Sequence, residues 1–157
     1  MTANEKYERR FPVRHQSGMT LIEVLVVVVI VSVLAAFAFP SYMQFVVRAK
    51  RSAATSMILQ VADRQQQFFM DNKRYAATLP QLNFPAATFM IADEGAFVAD
   101  GAADRVYQVS LSNTTATTYT VNAVPQLNQA IKDTQCGSLS LTHTGVKGQS
   151  GGGQNCW

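Results

Sequence analysis

The sequence predicts an α+β fold, in which a long N-terminal helix, half membrane-spanning and half amphipathic, packs on a small antiparallel β-sheet. Three observations support this prediction. Residues 24–39 contain no charged side chain and one polar residue, Ser32. Apolar residues then recur at helical spacing after Pro40, and the second half of the chain holds short alternating segments rich in β-branched and aromatic residues.

The apolar run is long enough to cross a membrane. A helix spans a bilayer of about 30 Å with roughly 20 apolar residues, and the run reaches this length once its continuation past Pro40 is included. Pro40 itself predicts a bend or local melting, because proline removes a helical hydrogen bond. The basic residues before the run predict that residues 1–18 stay cytoplasmic and that the rest is exported; they are Lys6, Arg9, Arg10 and Arg14.

The chain after Pro40 continues as an amphipathic helix that ends near residues 71–72, where the periodicity fades. One face of this helix is predicted to be buried, and it carries Val47, Ala54, Ile58, Val61 and Phe68. Residues 71–105 contain many turn signals and predict a connecting loop that includes a short helix or strand.

Three alternating segments predict the sheet. They are residues 106–111, 118–123 and 138–142, each bounded by turn residues. Together they predict an antiparallel sheet of three or four strands with one face on the helix.

Glu23 is the unusual residue of the apolar run. A carboxylate in hydrocarbon costs several kcal/mol unless it is paired, so Glu23 requires a partner or must reach the headgroups. It also argues against two common export signals. A cleaved secretory signal and a twin-arginine signal through Arg9 and Arg10 both fit poorly. Glu23 lies near the start of the apolar run, and the run is long for a cleaved signal.

The stretch GMTLIEV, residues 18–24, resembles the processing site of class III signal peptides in the type IV pilin family. The resemblance implies that residues 1–18 are a leader, and that a prepilin peptidase cuts between Gly18 and Met19 and methylates the new N-terminus. Met19 stands where the family most often has Phe. Residues 19–47 would then be the transmembrane and filament-core helix, and residues 48–157 the globular head.

The same resemblance assigns roles to Glu23 and Pro40. In pilins the Glu is thought to neutralise the α-amino group of a neighbouring subunit, which here means Glu23 of one chain and Met19 of another. A proline at the corresponding place marks a segment that can unwind in the filament. The alternatives are a Glu23 that only reaches the headgroups and a Pro40 that only kinks the helix.

The two cysteines, Cys136 and Cys156, both lie in the part predicted to be exported. An even cysteine count in an oxidising compartment predicts a disulfide, which would close a loop of about 20 residues and stabilise the fold by roughly 3 kcal/mol. The many glycines of this loop make such a bond the main source of its order. In pilins this C-terminal loop is exposed and varies between members.

The C-terminal region also resembles one subgroup of the family. Residues 119–125 and 136–141, with the terminal Cys156 and Trp157, look like minor pilins of the PilE type, the group that also contains ComP. The resemblance implies a minor pilin, made in the inner membrane with its N-terminus cytoplasmic and then moved to an extracellular pilus. Its implied partners are prepilin peptidase, other pilins and the pilus assembly platform. A major pilin, a ComP-like DNA-uptake receptor and a type II secretion pseudopilin remain alternatives.

Catalysis is not predicted. The sequence has no nucleophile elbow, no phosphate-binding glycine loop and no metal-ligand cluster, so we expect no cofactor and no metal. DNA binding has weak support. The pI is near 9.0, yet residues 19–157 carry nine basic and eight acidic side chains, a small net charge for an electrostatic DNA footprint. A local basic patch from Lys132 and Lys147 is possible, although a solvated surface is favoured.

Overall fold

The structure, a computed structural model, describes residues 18–157, so the predicted leader lies outside the described residues except for Gly18. The chain divides into two compact units, of which one ends at Pro40 and the other is Ser41–Trp157. Helix α1, Leu21–Asn72, contributes residues to both units. The predicted end of this helix, near residues 71–72, is confirmed.

The first part of α1 has no core of its own. Every side chain of residues 21–40 is exposed, although nearly all of them are apolar. Ser32, the one polar interruption, donates its hydroxyl proton to the Val28 carbonyl at 2.7 Å, so its polarity is satisfied within the helix. Among residues 18–157, α1 is the one helix that is long and apolar enough to cross a membrane, by length and composition.

The second part of α1 packs on the sheet through one face. Of the residues predicted for this face, Ala54, Ile58 and Val61 are buried, whereas Val47 and Phe68 are half-buried. The rest of the buried face is supplied by Met57 and Gln65. Periodicity in apolar residues could not reveal Gln65, whose side-chain amide is buried because it bonds both the N–H and the carbonyl of Ala76, at 2.9 and 3.0 Å.

The sheet has six antiparallel strands in the order β2-β1-β3-β4-β5-β6. The strands are β1 Thr88–Ile91, β2 Phe97–Val98, β3 Tyr107–Ser112, β4 Thr120–Pro125, β5 Leu139–Thr142 and β6 Lys147–Gln149. The α+β architecture is confirmed, but the predicted count of three or four strands is wrong. The predicted segments correspond to β3, β4 and β5. Of the other three strands, β2 and β6 have two and three residues, too few for a period-2 pattern to be recognised. Strand β1 buries three consecutive residues and so shows no alternation.

Two short helices connect these strands. A 3₁₀ helix, Leu79–Leu82, follows α1, and helix α2, Leu127–Lys132, follows β4. The prediction of a short element within residues 71–105 is confirmed by the 3₁₀ helix and by β1 and β2. Helix α2 was not predicted, since six residues hold fewer than two helical turns and show no periodicity.

The core lies between α1 and one face of the sheet. Alternation along the central strands places one side of each strand inward, and register aligns Val109 with Ala123 and Val121 with Leu141. Tyr107 and Tyr119 are the largest fully buried side chains. This core fixes the ends of the central strands, from which α2 and the C-terminal loop extend.

Candidate assembly segment and disulfide-bounded loop

The predicted cleavage junction is open to solvent. Gly18 has no atom within 4 Å of the position that a Cβ would occupy, and 68% of Met19 is exposed. Neither residue belongs to α1, which begins at Leu21. The cut between Gly18 and Met19 stays a prediction.

Thr20 caps the start of α1. The Glu23 N–H donates to both the Thr20 carbonyl at 3.1 Å and the Thr20 hydroxyl at 3.3 Å, which satisfies one of the free N–H groups of the first turn. The Glu23 carboxylate also lies in this first turn, where the positive end of the helix dipole favours a negative charge. The backbone geometry of the helix start depends on Thr20 and not on the Glu23 side chain.

The Glu23 carboxylate forms no ion pair with any of residues 18–157. It is exposed, and the side chains that follow it in α1 are aliphatic. A carboxylate in this position needs a cation from outside the described part of its own chain if it enters hydrocarbon. The pairing with Met19 of another subunit, suggested from the sequence, stays a prediction.

Helix α1 continues through Pro40. Proline has no N–H to donate to the carbonyl of Ala36, so the helix lacks one backbone hydrogen bond at this point. The two compact units also meet in sequence at Pro40. Whether this segment unwinds in a filament stays a prediction.

The C-terminal part of the chain contains the disulfide predicted between Cys136 and Cys156, with Cα atoms 5.5 Å apart. Both cysteines are buried. The bond joins the segment after α2 to the end of the chain and encloses the hairpin formed by β5 and β6. The loop is thus more ordered than the glycine content suggested, because the hairpin of β5 and β6, with its turn, makes up about half of it.

The glycines of the loop permit close approach between backbone segments. Gly151 donates its N–H to the Cys136 carbonyl at 3.1 Å, and Gly153 donates to the Gln135 carbonyl at 2.7 Å. A Cβ on Gly151 would lie 2.1 Å from the Gln135 oxygen, so no side chain fits there. These contacts hold the last residues of the loop alongside the segment that precedes Cys136.

Replacing Cys136 by serine is expected to make the loop sensitive to proteolysis and to lower the free energy of unfolding by at most about 3 kcal/mol, since the disulfide restricts the unfolded chain. Limited proteolysis and denaturant unfolding of the purified protein measure the two effects. The strands β5 and β6 should resist cleavage longer than residues 150–155. Two free thiols in protein isolated from the cell envelope would contradict the presence of the bond in the cell.

A buried ion pair connects α1 to the segment that leads into this loop. The Arg51 guanidinium donates to both carboxylate oxygens of Asp133, at 2.9 and 2.5 Å. The Asp133 side chain is 1% exposed and that of Arg51 is 12% exposed. The hydrogen bond to Asp133 is the main cause that raises the pKa of Arg51, against the opposing effect of burial. A two-pronged contact of this kind fixes geometry as well as charge.

Two more polar side chains form hydrogen bonds with the Asp133 carboxylate. The Tyr107 hydroxyl donates to Asp133 at 3.0 Å, and the Gln129 amide lies 3.1 Å from the same carboxylate. The Gln129 amide also donates to the Val47 carbonyl in α1, at 3.1 Å. Burial is the main cause that raises the pKa of Tyr107, so Tyr107 stays protonated and remains a donor at neutral pH. Sequence reasoning missed this network because Arg51 and Tyr107 lie 82 and 26 positions from Asp133 along the chain.

The basic residues considered for DNA binding do not form a cluster with each other by any described contact. Lys147 lies on β6 with its ammonium group 5.4 Å from the centre of the Trp157 ring, a cation–π distance. Lys132 ends α2 and is exposed. Within residues 18–157 there is also no group of three His, Cys, Asp or Glu side chains that could hold a metal ion.

Comparison with known proteins identifies both parts of the chain. Residues 40–140 match the family model described as the type IV minor pilin ComP, DNA uptake sequence receptor. Residues 13–39 match the prokaryotic N-terminal methylation motif, which includes the stretch from Gly18 to Val24.

Curated relatives match over shorter regions. The type IV major pilin protein PilA of Myxococcus xanthus (strain DK1622) is 36% identical over 75 residues, which cover 48% of this chain and 34% of PilA. The type II secretion system core protein G of Aeromonas hydrophila is 38% identical over 65 residues, or 41% of this chain and 46% of that protein. The type IV major fimbrial protein FimA of Dichelobacter nodosus is 37% identical over 67 residues, which cover 40% of this chain and 42% of FimA.

The matched region thus spans less than half the length of each of these relatives. The match to the family model is more extensive and covers most of the sheet and the second part of α1. The exposed apolar helix, the small antiparallel sheet and the disulfide agree with it. The chain therefore belongs to the type IV pilin family, in which its head is similar to the ComP-like minor pilins.

Proposed function

We propose that the chain is a minor pilin that is inserted in the inner membrane, processed by prepilin peptidase and incorporated into a type IV pilus, where it supports pilus biogenesis. The observation that carries this proposal is Glu23. Its carboxylate lies in the first turn of an exposed apolar helix, five residues after Gly18, and forms no ion pair within residues 18–157. It has a use when a cleaved neighbour supplies an α-amino group.

The partners follow from this mechanism. Prepilin peptidase creates the amino group at Met19, and other pilins present the apolar faces that replace lipid around residues 21–40. An assembly platform is needed to lift the subunit out of the membrane. Twitching motility, adhesion or DNA uptake would follow from the filament that the subunit enters.

Processing is tested at Gly18. Gly18→Asp should block cleavage, because the peptidase would meet a charged side chain where the chain now has none, and the protein should keep its leader. Mass spectrometry of the N-terminus of the wild type should find N-methylated Met19. Gly18→Ala serves as the control for a small side chain at the same site. Cleavage after Ala38, or an intact leader in assembled filaments, would contradict the proposal.

The role among pilins is tested by abundance. The relatives named above include major pilins and a type II secretion core protein, so a major pilin and a pseudopilin are the competing roles. We expect the chain to be a small fraction of the subunits in sheared pili, as determined by quantitative mass spectrometry. A dominant share would make it a major pilin, and its absence from pili with presence in a secretion complex would make it a pseudopilin.

A second candidate function is a receptor for DNA during uptake. The description of the matching family model favours it. Against it stands the small net charge of residues 19–157, with nine basic and eight acidic side chains. Phosphate contacts dominate the affinity of proteins for DNA, and this chain offers few uncompensated cations for them.

DNA binding by the purified protein separates the two functions. If the subunit is structural, affinity should not exceed the non-specific range of about 10⁻⁴ to 10⁻⁶ M at physiological salt, while deletion of the gene reduces piliation. A receptor would instead bind one sequence below micromolar concentration and weaken steeply with salt. Such binding, lost in Lys132→Ala or Lys147→Ala and accompanied by normal piliation in the deletion strain, would make recognition the primary function.

A further inference from the structure

The Arg51 guanidinium contacts both of the chain segments that carry the cysteines. It donates to the two carboxylate oxygens of Asp133 at 2.9 and 2.5 Å, and its third nitrogen lies 3.5 Å from the Asn155 carbonyl oxygen. Asp133 is three residues before Cys136. Asn155 is the residue directly before Cys156. One side chain of α1 therefore contacts both ends of the disulfide-bounded loop, across 82 and 104 positions of sequence.

The backbone carries each of these contacts to a cysteine. The Asp133 carbonyl accepts the N–H groups of Cys136 and Gly137, at 3.3 and 2.7 Å, so these residues form a closed turn that moves with Asp133. The Asn155 carbonyl belongs to the same rigid peptide plane as the N–H of Cys156. Asn155 has φ of +57°, a left-handed conformation that asparagine adopts more readily than most residues. A contact at each carboxylate or carbonyl group therefore fixes the position of the neighbouring cysteine.

Contacts within the loop itself bring its two ends only part of the way together. The pairing that continues the β5–β6 hairpin reaches Ser150, whose N–H donates to the Ser138 carbonyl at 2.9 Å. Three glycines follow, residues 151–153, and glycine has the largest conformational freedom of any residue. While the thiols are reduced, such a segment needs a fixed point close to Cys156. Arg51 supplies one that is shared with the segment of Cys136.

We propose that Arg51 is a positioning residue for the oxidation of Cys136 and Cys156, and that it brings the two thiols together before the disulfide forms. The proposal rests on the disulfide and not on the role of the subunit in a pilus. Because Asp133 balances the charge of Arg51, the effect is on the position of the thiols and not on their acidity. A closed disulfide then marks a head in which α1 is already packed on the sheet.

Oxidation proceeds in two steps, of which one depends on position. It needs an external disulfide, supplied in a cell by a thiol oxidoreductase and in vitro by oxidised glutathione. One cysteine thiolate attacks the glutathione disulfide, forms a mixed disulfide and releases the first glutathione thiolate. The second cysteine thiolate attacks the sulfur of the first cysteine and releases the other glutathione thiolate. The two thiols thus lose two electrons and two protons, and both pass to glutathione, which leaves as two thiols.

The second step is intramolecular, so its rate and equilibrium report how close the two thiols lie. The full-length protein in detergent is equilibrated with mixtures of reduced and oxidised glutathione, and free thiols are trapped by alkylation and counted by mass spectrometry. The equilibrium constant between protein disulfide and glutathione gives the effective concentration of the two thiols. Trapping at early times gives the rates of the two steps separately.

The main variant is Arg51→Met with Asp133→Leu, which removes both contacts and leaves no buried charge. We expect the effective concentration of the thiols to fall by about tenfold or more, since hydrogen bonds to a charged group contribute at least that factor to an equilibrium. The rate of the intramolecular step should fall with it. The rate at which the mixed disulfide forms should not change.

A second variant, Arg51→Lys, retains a positive charge beside Asp133. The single ammonium group of lysine cannot reproduce the planar fork that contacts both Asp133 and Asn155. The effective concentration should therefore lie between those of the wild type and the double variant. Far-UV circular dichroism of each reduced protein verifies that it is folded, and Arg51→Lys decides alone if the double variant is not.

Two controls separate position from stability. Gln65→Ala also removes a buried polar side chain of α1, but the Gln65 amide bonds to Ala76 and not to the loop. It should lower the free energy of unfolding and leave the effective concentration of the thiols at the wild-type value. Trp157→Phe removes a contact made within the loop, in which the indole N–H donates to the Gly148 carbonyl at 3.0 Å. Its effect should be smaller than that of the double variant.

Four results would overturn the proposal. A wild-type effective concentration in the Arg51 variants would mean that the loop aligns the cysteines without α1. An equal fall in Gln65→Ala would trace the effect to overall stability. Slower formation of the mixed disulfide would mean that Arg51 acts on thiol reactivity. A larger fall in Trp157→Phe than in the double variant would place the positioning within the loop itself.

Discussion

Replacement of Asp133 by alanine is expected to lower the free energy of unfolding by about 3–5 kcal/mol, because it leaves the Arg51 guanidinium without its carboxylate in a largely buried site. Tyr107 and Gln129 lose the same acceptor. A domain of this size is stable by only about 5–15 kcal/mol in total, so a large part of the stability depends on this carboxylate. Denaturant unfolding of the detergent-solubilised protein, followed by the fluorescence of Trp157, measures the change.

A matched variant isolates the effect of burial. Asp93→Ala removes the other ion pair described in residues 18–157, in which Lys50 and Asp93 lie 3.9 Å apart and their side chains are 29% and 59% exposed. Solvent screens such a pair, so this variant should cost less than about 1 kcal/mol. The double variant Arg51→Met with Asp133→Leu should recover most of the loss caused by Asp133→Ala, since it leaves no buried charge. Equal costs for Asp133→Ala and Asp93→Ala would contradict the assignment of the network as a major stabilising element.

Glu23→Ala is expected to abolish entry of the subunit into pili while processing and membrane insertion continue. The start of α1 should survive the change, because the capping bonds of Thr20 run to the Glu23 backbone N–H. Removal of a carboxylate from an apolar segment should also favour membrane insertion, by less than the about 2.5–3.5 kcal/mol that insertion scales give for a charge at the helix centre, because Glu23 lies in the first turn of α1. A defect that appears only at incorporation therefore points to a partner outside the chain.

The measurement compares membrane and sheared-pilus fractions from cells that express wild-type or variant subunit beside the other pilins. Glu23→Asp retains the charge and should restore part of the incorporation, while Glu23→Gln should behave as alanine does. Wild-type amounts of the alanine variant in pili would remove the proposed pairing with Met19. Loss of the variant from the membrane would place the function of Glu23 in insertion instead.

Local sequence patterns predicted the elements that are long enough to show a periodic arrangement of residues. The extent of α1, the three central strands and the pairing of the two cysteines all follow from periodicity, β-branched composition and cysteine count. The short strands β2 and β6 and the helix α2 have no period to detect. Their presence depends on neighbours that are distant in sequence, such as the contact of Gln129 with Val47.

The candidate site residues also differ in whether local sequence can predict them. Gly18, Met19 and Glu23 lie within one stretch of six residues, so a motif identifies them without any tertiary contact. Arg51 and Asp133 are separated by 82 positions, and a lone Arg on a helix and a lone Asp after another one carry no sign of being partners. The burial of Gln65 could not be predicted for the same reason. It depends on the hydrogen bonds of its amide with Ala76, and not on the pattern of apolar residues in α1.

The contacts of the loop glycines bear on where the chain tolerates a change in length. Gly145, in the turn between β5 and β6, has open space around it, so an inserted peptide there would extend outward and leave the hairpin paired. Gly151 lies against the Gln135 carbonyl, and any insertion near it must separate two backbone segments. The turn at Gly145 and residues 151–153 look alike in sequence, but they therefore differ in whether they tolerate an insertion. The turn at Gly145 is the suitable place to carry an epitope tag or a foreign peptide, and residues 151–153 are not.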